Sequence, residues 1–93
     1  MKKTSGKVIK IKVSDFSFSP NYIVVKPNTE IVWKNMDAVT HVIQSIPLGY
    51  MFMSSVLKSG ESFSFHVPVN SYGVYHYSCA IYPSMKAKIM VTK

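Results

Sequence analysis

Three residues near the carboxyl end of the chain have side chains that bind metal ions, and they are evenly spaced. Cys79 is followed three residues later by Tyr82 and three residues after that by Met85. A histidine, His41, lies 38 residues before the cysteine. Thiolate, imidazole and thioether groups are soft or borderline ligands of transition metals. Their joint occurrence predicts a mononuclear metal site.

Each of these residues also has an ordinary structural role. Cys79 is the only cysteine, so no disulfide forms within the chain, and it is a buried thiol, a reactive thiol or a ligand. Met85 is equally suited to a core, and its ligand role depends on Cys79 and His41. The ligand interpretation is favoured because the residues occur together.

Short β-strands must position these residues, because apolar and polar residues alternate nearly everywhere. Apolar residues nowhere recur at helical spacing over more than a turn. The stretch 46–59 is the least regular, and Pro47, Leu48 and Gly49 in it suggest a turn. An all-β sandwich or barrel is therefore expected. Strands are predicted over residues 9–13, 16–19, 22–26, 30–34, 41–45, 61–67, 74–79 and 88–93.

The other two histidines are poor candidates for ligands. Along the strand that ends at Cys79, Tyr77 and Tyr75 share the face of the cysteine, whereas His76 points to the other side. By the same alternation His66 lies opposite the neighbouring phenylalanines and faces solvent. Both histidines are expected to be solvated strand residues.

Four further methionines admit two interpretations. Met36, Met51, Met53 and Met90 are suited to passing Cu(I), since methionine-rich surfaces bind soft ions. Met51 and Met53 flank Phe52 in the irregular stretch, a spacing equally expected of loop residues that pack on the edge of a sandwich. The packing interpretation is favoured.

Segments in order along nearly the whole chain resemble the cupredoxins of the plastocyanin and amicyanin type. The resemblance implies a single domain over residues 1–93 with a Greek-key β-sandwich of seven to eight strands. It also implies one copper ion, bound by a loop with the pattern cysteine-x-x-histidine-x-x-methionine. The matching segments are FSFSP (16–20), VWKNMD (32–37) leading to His41, FMSS (52–55) with Leu57, GESFSF (60–65), GVYHYSC (73–79), PSM (83–85) and IMV (89–91).

By this resemblance His41 is the upstream imidazole ligand, Cys79 the thiolate and Met85 the axial thioether. Tyr82 stands where the family has its loop histidine. It binds as a phenolate, swings out to leave a three-coordinate Cu(I) site, or fills the place of the metal in an empty site; alternatively, the chain is a deliberate variant. Copper is therefore either bound by an altered site or absent.

Val42 is a second departure from the resemblance. An asparagine often follows the upstream histidine in these proteins, and it hydrogen-bonds across to the cysteine loop. The Val42 side chain cannot do this, although its backbone N–H is able to donate to the thiolate. Bonds of this kind tune the potential and rigidity of a copper site.

The charge of the chain indicates its class of partner. Eleven basic residues, all of them lysine, stand against four acidic ones, which gives a net charge of +7. Nucleic-acid recognition relies on the arginine fork, so no nucleic-acid partner is expected. The lysines steer the domain to an acidic redox partner or an anionic membrane surface, or they keep it soluble.

No apolar run approaches the length of a membrane span, so no integral membrane segment is expected. Residues 1–4 resemble the charged start of a secretory signal, but no apolar region follows them. The chain is thus either cytoplasmic or begins after a removed signal. The resemblance implies a periplasmic or otherwise extracytoplasmic location, and a monomer is expected.

Three functions follow from these observations. The first is electron transfer by copper in an altered type 1 site. The second is a Cu(I)-binding or delivery module that uses Cys79, Met85 and His41. The third is a metal-free cupredoxin fold that binds a partner protein. An enzyme is not expected, because there is neither a second copper cluster nor a convincing pair of nucleophile and base.

Overall fold

The computed structural model describes residues 7–47 and 49–93, and within them the regular elements are eight β-strands. The start that resembles a secretory signal, residues 1–4, and Leu48 in the predicted turn lie outside the described residues. The strands are β1 (Val8–Ser14), β2 (Ser17–Ser19), β3 (Tyr22–Val25), β4 (Glu30–Asn35), β5 (Ile43–Ile46), β6 (Ser62–His66), β7 (Gly73–Cys79) and β8 (Lys86–Val91).

The strands of the described chain form two four-stranded sheets. The first sheet has the order β2-β1-β4-β6, and the second has the order β3-β8-β7-β5. The pairs β1 with β4 and β3 with β8 are parallel, and the other neighbours are antiparallel. The all-β prediction is therefore confirmed. No helix in residues 7–47 and 49–93 is long and apolar enough to cross a membrane.

The core lies between the sheets, as the alternation predicts. Trp33 on β4 is fully buried, and its ring lies 5.2 Å from Phe52, 5.6 Å from Phe63 and 5.5 Å from Tyr77. Phe18 makes an edge-to-face contact with Tyr77 at 4.8 Å. Aromatic rings at these separations add to the stability that burial alone supplies. This cluster fixes β7, the strand that ends in Cys79.

Three connections meet at one end of the sandwich. The turn after β1 and the connection after β4 are neighbours, because those two strands are parallel and in register. The connection from β7 to β8 lies at the same end, since Cys79 at the end of β7 contacts His41 in the connection after β4. The predicted site residues are therefore gathered at this end.

The prediction that Phe16 belongs to a strand is wrong. Asp15 and Phe16 have φ values of 53° and 57°, which is the left-handed region, so the chain turns there before β2 begins at Ser17. The Phe16 side chain is half exposed instead of alternating into the core. The turn is held by backbone N–H groups that donate to Asp37, as described below.

The packing interpretation of the methionines is wrong for two of the four. Met36 and Met53 are 53% and 54% exposed, respectively, whereas Met51 and Met90 are half-buried. Met36 follows β4, and Met53 lies beside the edge strand β5 in an isolated bridge to Gln44.

Candidate metal centre

His41 and Cys79 form a buried pair at the end of the sandwich. The Nδ1 atom of His41 lies 3.3 Å from the Cys79 sulfur, and both residues are fully buried. Cys79 is the last residue of β7 and pairs with Ile43 of β5. His41 is held by two backbone hydrogen bonds with Leu57, of 3.0 and 2.8 Å. Both candidate ligands therefore lie on fixed backbone.

The loop from Cys79 to Met85 is short and closes on itself. The Met85 N–H donates to the Tyr82 carbonyl at 2.9 Å, and the Cys79 N–H donates to the Met85 carbonyl at 3.2 Å. The Met85 side chain is 3% exposed and belongs to the core cluster. The loop thus brings the third candidate ligand back to the buried end of β7.

The Asp37 carboxylate orients the imidazole of His41. Its Oδ2 atom lies 2.8 Å from His41 Nε2. The backbone N–H groups of Asp15 and Phe16 donate to the same carboxylate, at 2.6 and 3.1 Å. Burial on its own raises the pKa of the Asp37 carboxyl group, but the hydrogen bonds from His41, Phe16 and Asp15 outweigh burial and hold the pKa below its ordinary value.

The ionised carboxylate determines the tautomer of His41. An ionised carboxylate only accepts hydrogen bonds, so Nε2 carries a proton, and a neutral imidazole then presents the Nδ1 lone pair to Cys79. A carboxylate or carbonyl behind a ligand histidine fixes the ring and increases its basicity. Asp37 was not among the predicted site residues. Its position four residues before His41 was a weak signal, since the shape of the intervening turn is not visible in the sequence.

Asn35 holds the turn that carries Asp37, and it was also missed. Its buried Nδ2 donates to the carbonyls of Val39 and Leu57 at 2.8 and 2.9 Å. Its Oδ1 accepts the Asp37 N–H at 2.9 Å. One side chain therefore ties together the two segments on either side of His41.

Tyr82 lies against His41 and beneath an exposed phenylalanine. The Tyr82 ring is 5.4 Å from the His41 ring and 5.0 Å from the Phe16 ring, both edge to face. Phe16 also contacts His41 at 5.9 Å. Tyr82 is half-buried, and Phe16 is 50% exposed. These two rings therefore pack against the buried His41 imidazole.

Val42 does connect the histidine segment to the cysteine loop, although not through a donor to the sulfur. Its carbonyl accepts the Ala80 N–H at 2.8 Å. Within residues 7–47 and 49–93 the hydrogen-bond partner of the Cys79 sulfur is His41 Nδ1 and not the Val42 amide. A backbone hydrogen bond therefore connects the two segments.

The remaining histidines lie apart from this centre. His66 and His76 are exposed, as the strand alternation predicts. Among the described residues no group of three or more His, Cys, Asp or Glu side chains is close enough to share a metal ion. A site here must therefore include the Met85 thioether or the Tyr82 oxygen besides His41 and Cys79.

The donor set fits a soft metal ion. One imidazole nitrogen with a free lone pair, one thiol and one thioether are ligands that copper accepts in proteins. In tetrahedral zinc sites, where the metal lies roughly 2.0 Å from nitrogen and 2.3 Å from sulfur, two such ligands are ~3.5 Å apart. The observed 3.3 Å between His41 Nδ1 and the Cys79 sulfur is close to this separation.

Comparison with known proteins agrees with the fold and with the resemblance. The family model described as the cupredoxin-like domain matches residues 2–91. The chain therefore belongs to the cupredoxin-like family. The search of curated proteins found no relative.

Solved structures of cupredoxins superpose on nearly the whole chain. A purple cupredoxin from Nitrosopumilus maritimus is 26% identical, with a TM-score of 0.80 over 90% of this chain and 99% of that one. An oxidised mutant of amicyanin is 18% identical, with a TM-score of 0.81 over 90% of this chain and 81% of that one. The Cu(I) form of another amicyanin mutant is also 18% identical, with a TM-score of 0.80 over 96% and 86%.

Proposed function

We propose that this chain is a small copper-binding electron-transfer protein with an altered type 1 site. His41, Cys79 and Met85 hold one copper ion, and Tyr82 occupies the position of the usual loop histidine. The observation that carries the proposal is the buried pair of His41 Nδ1 and the Cys79 sulfur, 3.3 Å apart, with the imidazole oriented by Asp37.

Copper bound at this end supplies a one-electron redox couple, and the chain supplies rigidity. The backbone around His41 and Cys79 is fixed by bonds to Leu57, Met85 and Val42. Little rearrangement is then needed when the charge of the site changes. Because the ligands are buried, water is also kept from the thiolate.

Electrons leave through the exposed surface next to Tyr82. Phe16 covers the Tyr82 ring, and Ile81 beside it is 44% exposed. Val39, in the turn held by Asn35, is 36% exposed. These apolar residues form a docking surface above the buried ligands, with the Tyr82 ring between the surface and His41.

Other parts of the proposal follow from the family and the charge. Residues 1–93 act as one domain and as a monomer, without enzymatic turnover. The net charge of +7 favours an acidic redox partner, since opposite charge accelerates encounter. The location is periplasmic or otherwise extracytoplasmic.

A Cu(I)-binding or delivery module is the second candidate. The observation that favours it is the donor set, because a thiolate, a thioether and one imidazole suit the reduced ion without a fourth ligand. Exposed Met36 and Met53 supply further soft donors at the surface. This function predicts a colourless complex that resists oxidation.

The test is a titration of the reduced protein with Cu(II), followed by visible absorption and electron paramagnetic resonance. The Tyr82→His variant is titrated beside it, with Tyr50→His as the matched control at an exposed tyrosine. An intense thiolate-to-copper band in the unmodified protein is expected, and Tyr82→His is expected to strengthen and shift it. Tyr50→His is expected to behave as the unmodified protein.

Three other outcomes lead to different conclusions. Binding of Cu(I) alone, measured by competition with a chromophoric chelator, supports the delivery module. Colour only in Tyr82→His means that Tyr82 disables the redox site. If neither the unmodified protein nor Tyr82→His takes up copper in either oxidation state, the metal assignment fails. A partner-binding role then remains.

A further inference from the structure

A row of aligned polar side chains crosses the outer face of the first sheet. The strand register places Lys12 directly opposite Lys34, on the neighbouring strands β1 and β4. Lys12 also pairs with Ser19 on β2, and Lys34 pairs with Ser62 on β6. The row therefore runs from serine through two lysines to serine, across all four strands of the sheet. Lys10 lies in the next row.

The two central lysines oppose each other without a neutralising group. Neighbouring strands lie about 4.8 Å apart, and like charges directly opposite each other are destabilising. In the part of the chain that the structure describes, no lysine lies within ion-pair distance of a carboxylate. Glu30, on the same face of β4, is four residues or about 13 Å from Lys34 along the strand. This distance exceeds the Debye length, which is about 8 Å at physiological salt, so Glu30 does not neutralise Lys34.

The row forms the wall of a surface groove that leads toward the metal centre. The groove has a volume of about 330 Å³, and Lys10, Lys12 and Lys34 line it together with Val32 and Met36. Met36 is 53% exposed at the end where β4 stops. The next residue, Asp37, hydrogen-bonds to His41. The groove therefore includes the residue that precedes Asp37 in the chain.

We propose that this groove is a docking site for an acidic segment of a protein partner. The proposal rests on the proposed function and extends it, because it gives the expected acidic partner a second contact besides the apolar docking surface of Phe16, Ile81 and Val39. The aligned lysines are able to pair with the carboxylates of an extended acidic segment. The serines at both ends of the row are able to hydrogen-bond to the backbone of that segment. A membrane is disfavoured because Met36 is the only strongly exposed apolar residue among those that line the groove. Nucleic acid is disfavoured because the chain has no arginine.

The test uses the full-length, metal-free protein and a decaglutamate peptide as the probe, followed by two-dimensional amide NMR at low salt. The largest shifts are expected along β1 and β4. The Lys12→Glu/Lys34→Glu variant is expected to bind the peptide at least about tenfold more weakly. Its amide spectrum shows whether it is folded, and Lys12→Gln/Lys34→Gln replaces it if it is not.

The matched control is Lys86→Glu/Lys88→Glu, which changes the net charge equally but on the exposed face of the second sheet. It is expected to weaken binding by less than about threefold. Equal weakening by both double variants means that only net charge attracts the peptide, and this result overturns the proposal. Shifts centred on β8 overturn it too.

The single variant Lys12→Glu distinguishes a lysine that binds a partner from a lysine that only keeps the protein soluble. It places a carboxylate opposite Lys34, so the melting temperature is expected to rise while affinity for decaglutamate falls. Unchanged affinity would overturn the proposal. Tight binding of vesicles of equal parts phosphatidylcholine and phosphatidylserine, without binding of the peptide, assigns the groove to a membrane instead.

The outcome is independent of copper. The peptide titration requires no metal, and the Lys12→Glu/Lys34→Glu variant retains His41, Cys79 and Met85. The variant is therefore expected to give the same copper titration as the unmodified protein. If the variant loses peptide binding but keeps copper binding, the result supports the groove as the docking site. If both proteins fail to bind copper, the proposed function fails and the docking proposal is unaffected.

Discussion

At the scale of single residues, His41 uses both ring nitrogens. Nε2 lies 2.8 Å from the Asp37 carboxylate, and Nδ1 lies 3.3 Å from the Cys79 sulfur. The carboxylate accepts three hydrogen bonds in all, two of them from the backbone of the turn after β1. Asp37 is therefore a positioning residue, since it sets the direction of the Nδ1 lone pair without being a ligand itself.

Asp37→Asn is expected to lower copper affinity by roughly 10- to 100-fold, as the loss of groups behind ligand histidines does in other metal sites. The amide turns an N–H group toward at least one of the three donors that now meet the carboxylate, so the imidazole loses its fixed orientation. Affinity is measured by competition with a chromophoric Cu(I) chelator. The control is Asp15→Asn, at an exposed position. Equal affinities for the two variants would contradict the role of Asp37.

Tyr77 supplies a residue-scale prediction about pH. Burial raises the pKa of its hydroxyl from 10.0 to about 12, and the nearby Trp33 indole offsets part of the rise. The indole nitrogen has no hydrogen-bond partner in residues 7–47 and 49–93, so it acts only as a nearby dipole. Between pH 10 and 12 the unfolded chain loses the Tyr77 proton and the folded chain keeps it. Stability therefore falls as the pH rises through this range.

The loss assigned to Tyr77 is roughly 2 to 3 kcal/mol across those two pH units. It is measured by urea denaturation at successive pH values in the unmodified protein and in Tyr77→Phe. Other tyrosines and lysines titrate in both proteins, so only the difference between the two curves reports on Tyr77. Parallel curves would show that the hydroxyl stays accessible to ionisation in the folded state.

At the scale of the elements, the connection between β4 and β5 is the part that builds the site. Asn35 ends β4, and its side chain makes three hydrogen bonds to Asp37, Val39 and Leu57. Its backbone also pairs with Glu61 and Gly60. The connection therefore has a fixed shape although it contains no regular structure, and it delivers Asp37 and His41 to the end of β7.

Asn35→Ala is expected to lower the free energy of unfolding by about 3 kcal/mol, because three buried hydrogen bonds are lost and their partners remain desolvated. Chemical denaturation measures the change, with Asn21→Ala as the control at an exposed asparagine. A weaker copper complex is expected to accompany the loss, since the turn carries Asp37. A change below about 1 kcal/mol would show that water replaces the side chain in the turn.

At the scale of the whole molecule, the core of the sandwich extends to the candidate metal ligands. Seventeen buried apolar residues from both sheets and the connections form one cluster in the described chain. Cys79 and Met85 belong to that cluster, so the candidate ligands also pack in the core. Metal binding is therefore expected to add to the stability that this core supplies.

Copper is expected to raise the unfolding free energy by about 2.7 kcal/mol when its free concentration is 100 times the dissociation constant. Cys79→Ser is expected to fold, because a hydroxyl is also able to donate to His41 Nδ1. The unfolding free energy of this variant is expected not to rise when copper is added. Calorimetric melting with and without copper measures both effects. An equal increase in Cys79→Ser would place the bound copper elsewhere.

The strands were predictable because alternation is a local property. Trp33 and Ile31 share the buried face of β4, and exposed lysines fall between the buried residues of β1, as the sequence indicates. Phe16 was mispredicted because the turn at Asp15 and Phe16 is held by Asp37, more than twenty residues away. A distant hydrogen bond of this kind leaves no periodic signal.

The sequence by itself determined the all-β fold, and it predicted the candidate ligands. Only the tertiary structure decided that Asp37 and Asn35 support His41, and that Lys12 faces Lys34 across two strands. The physical reason is that residue type and spacing fix what a side chain can do and which face of a strand it occupies. Which distant side chain it meets depends on strand register and on the shape of the connections.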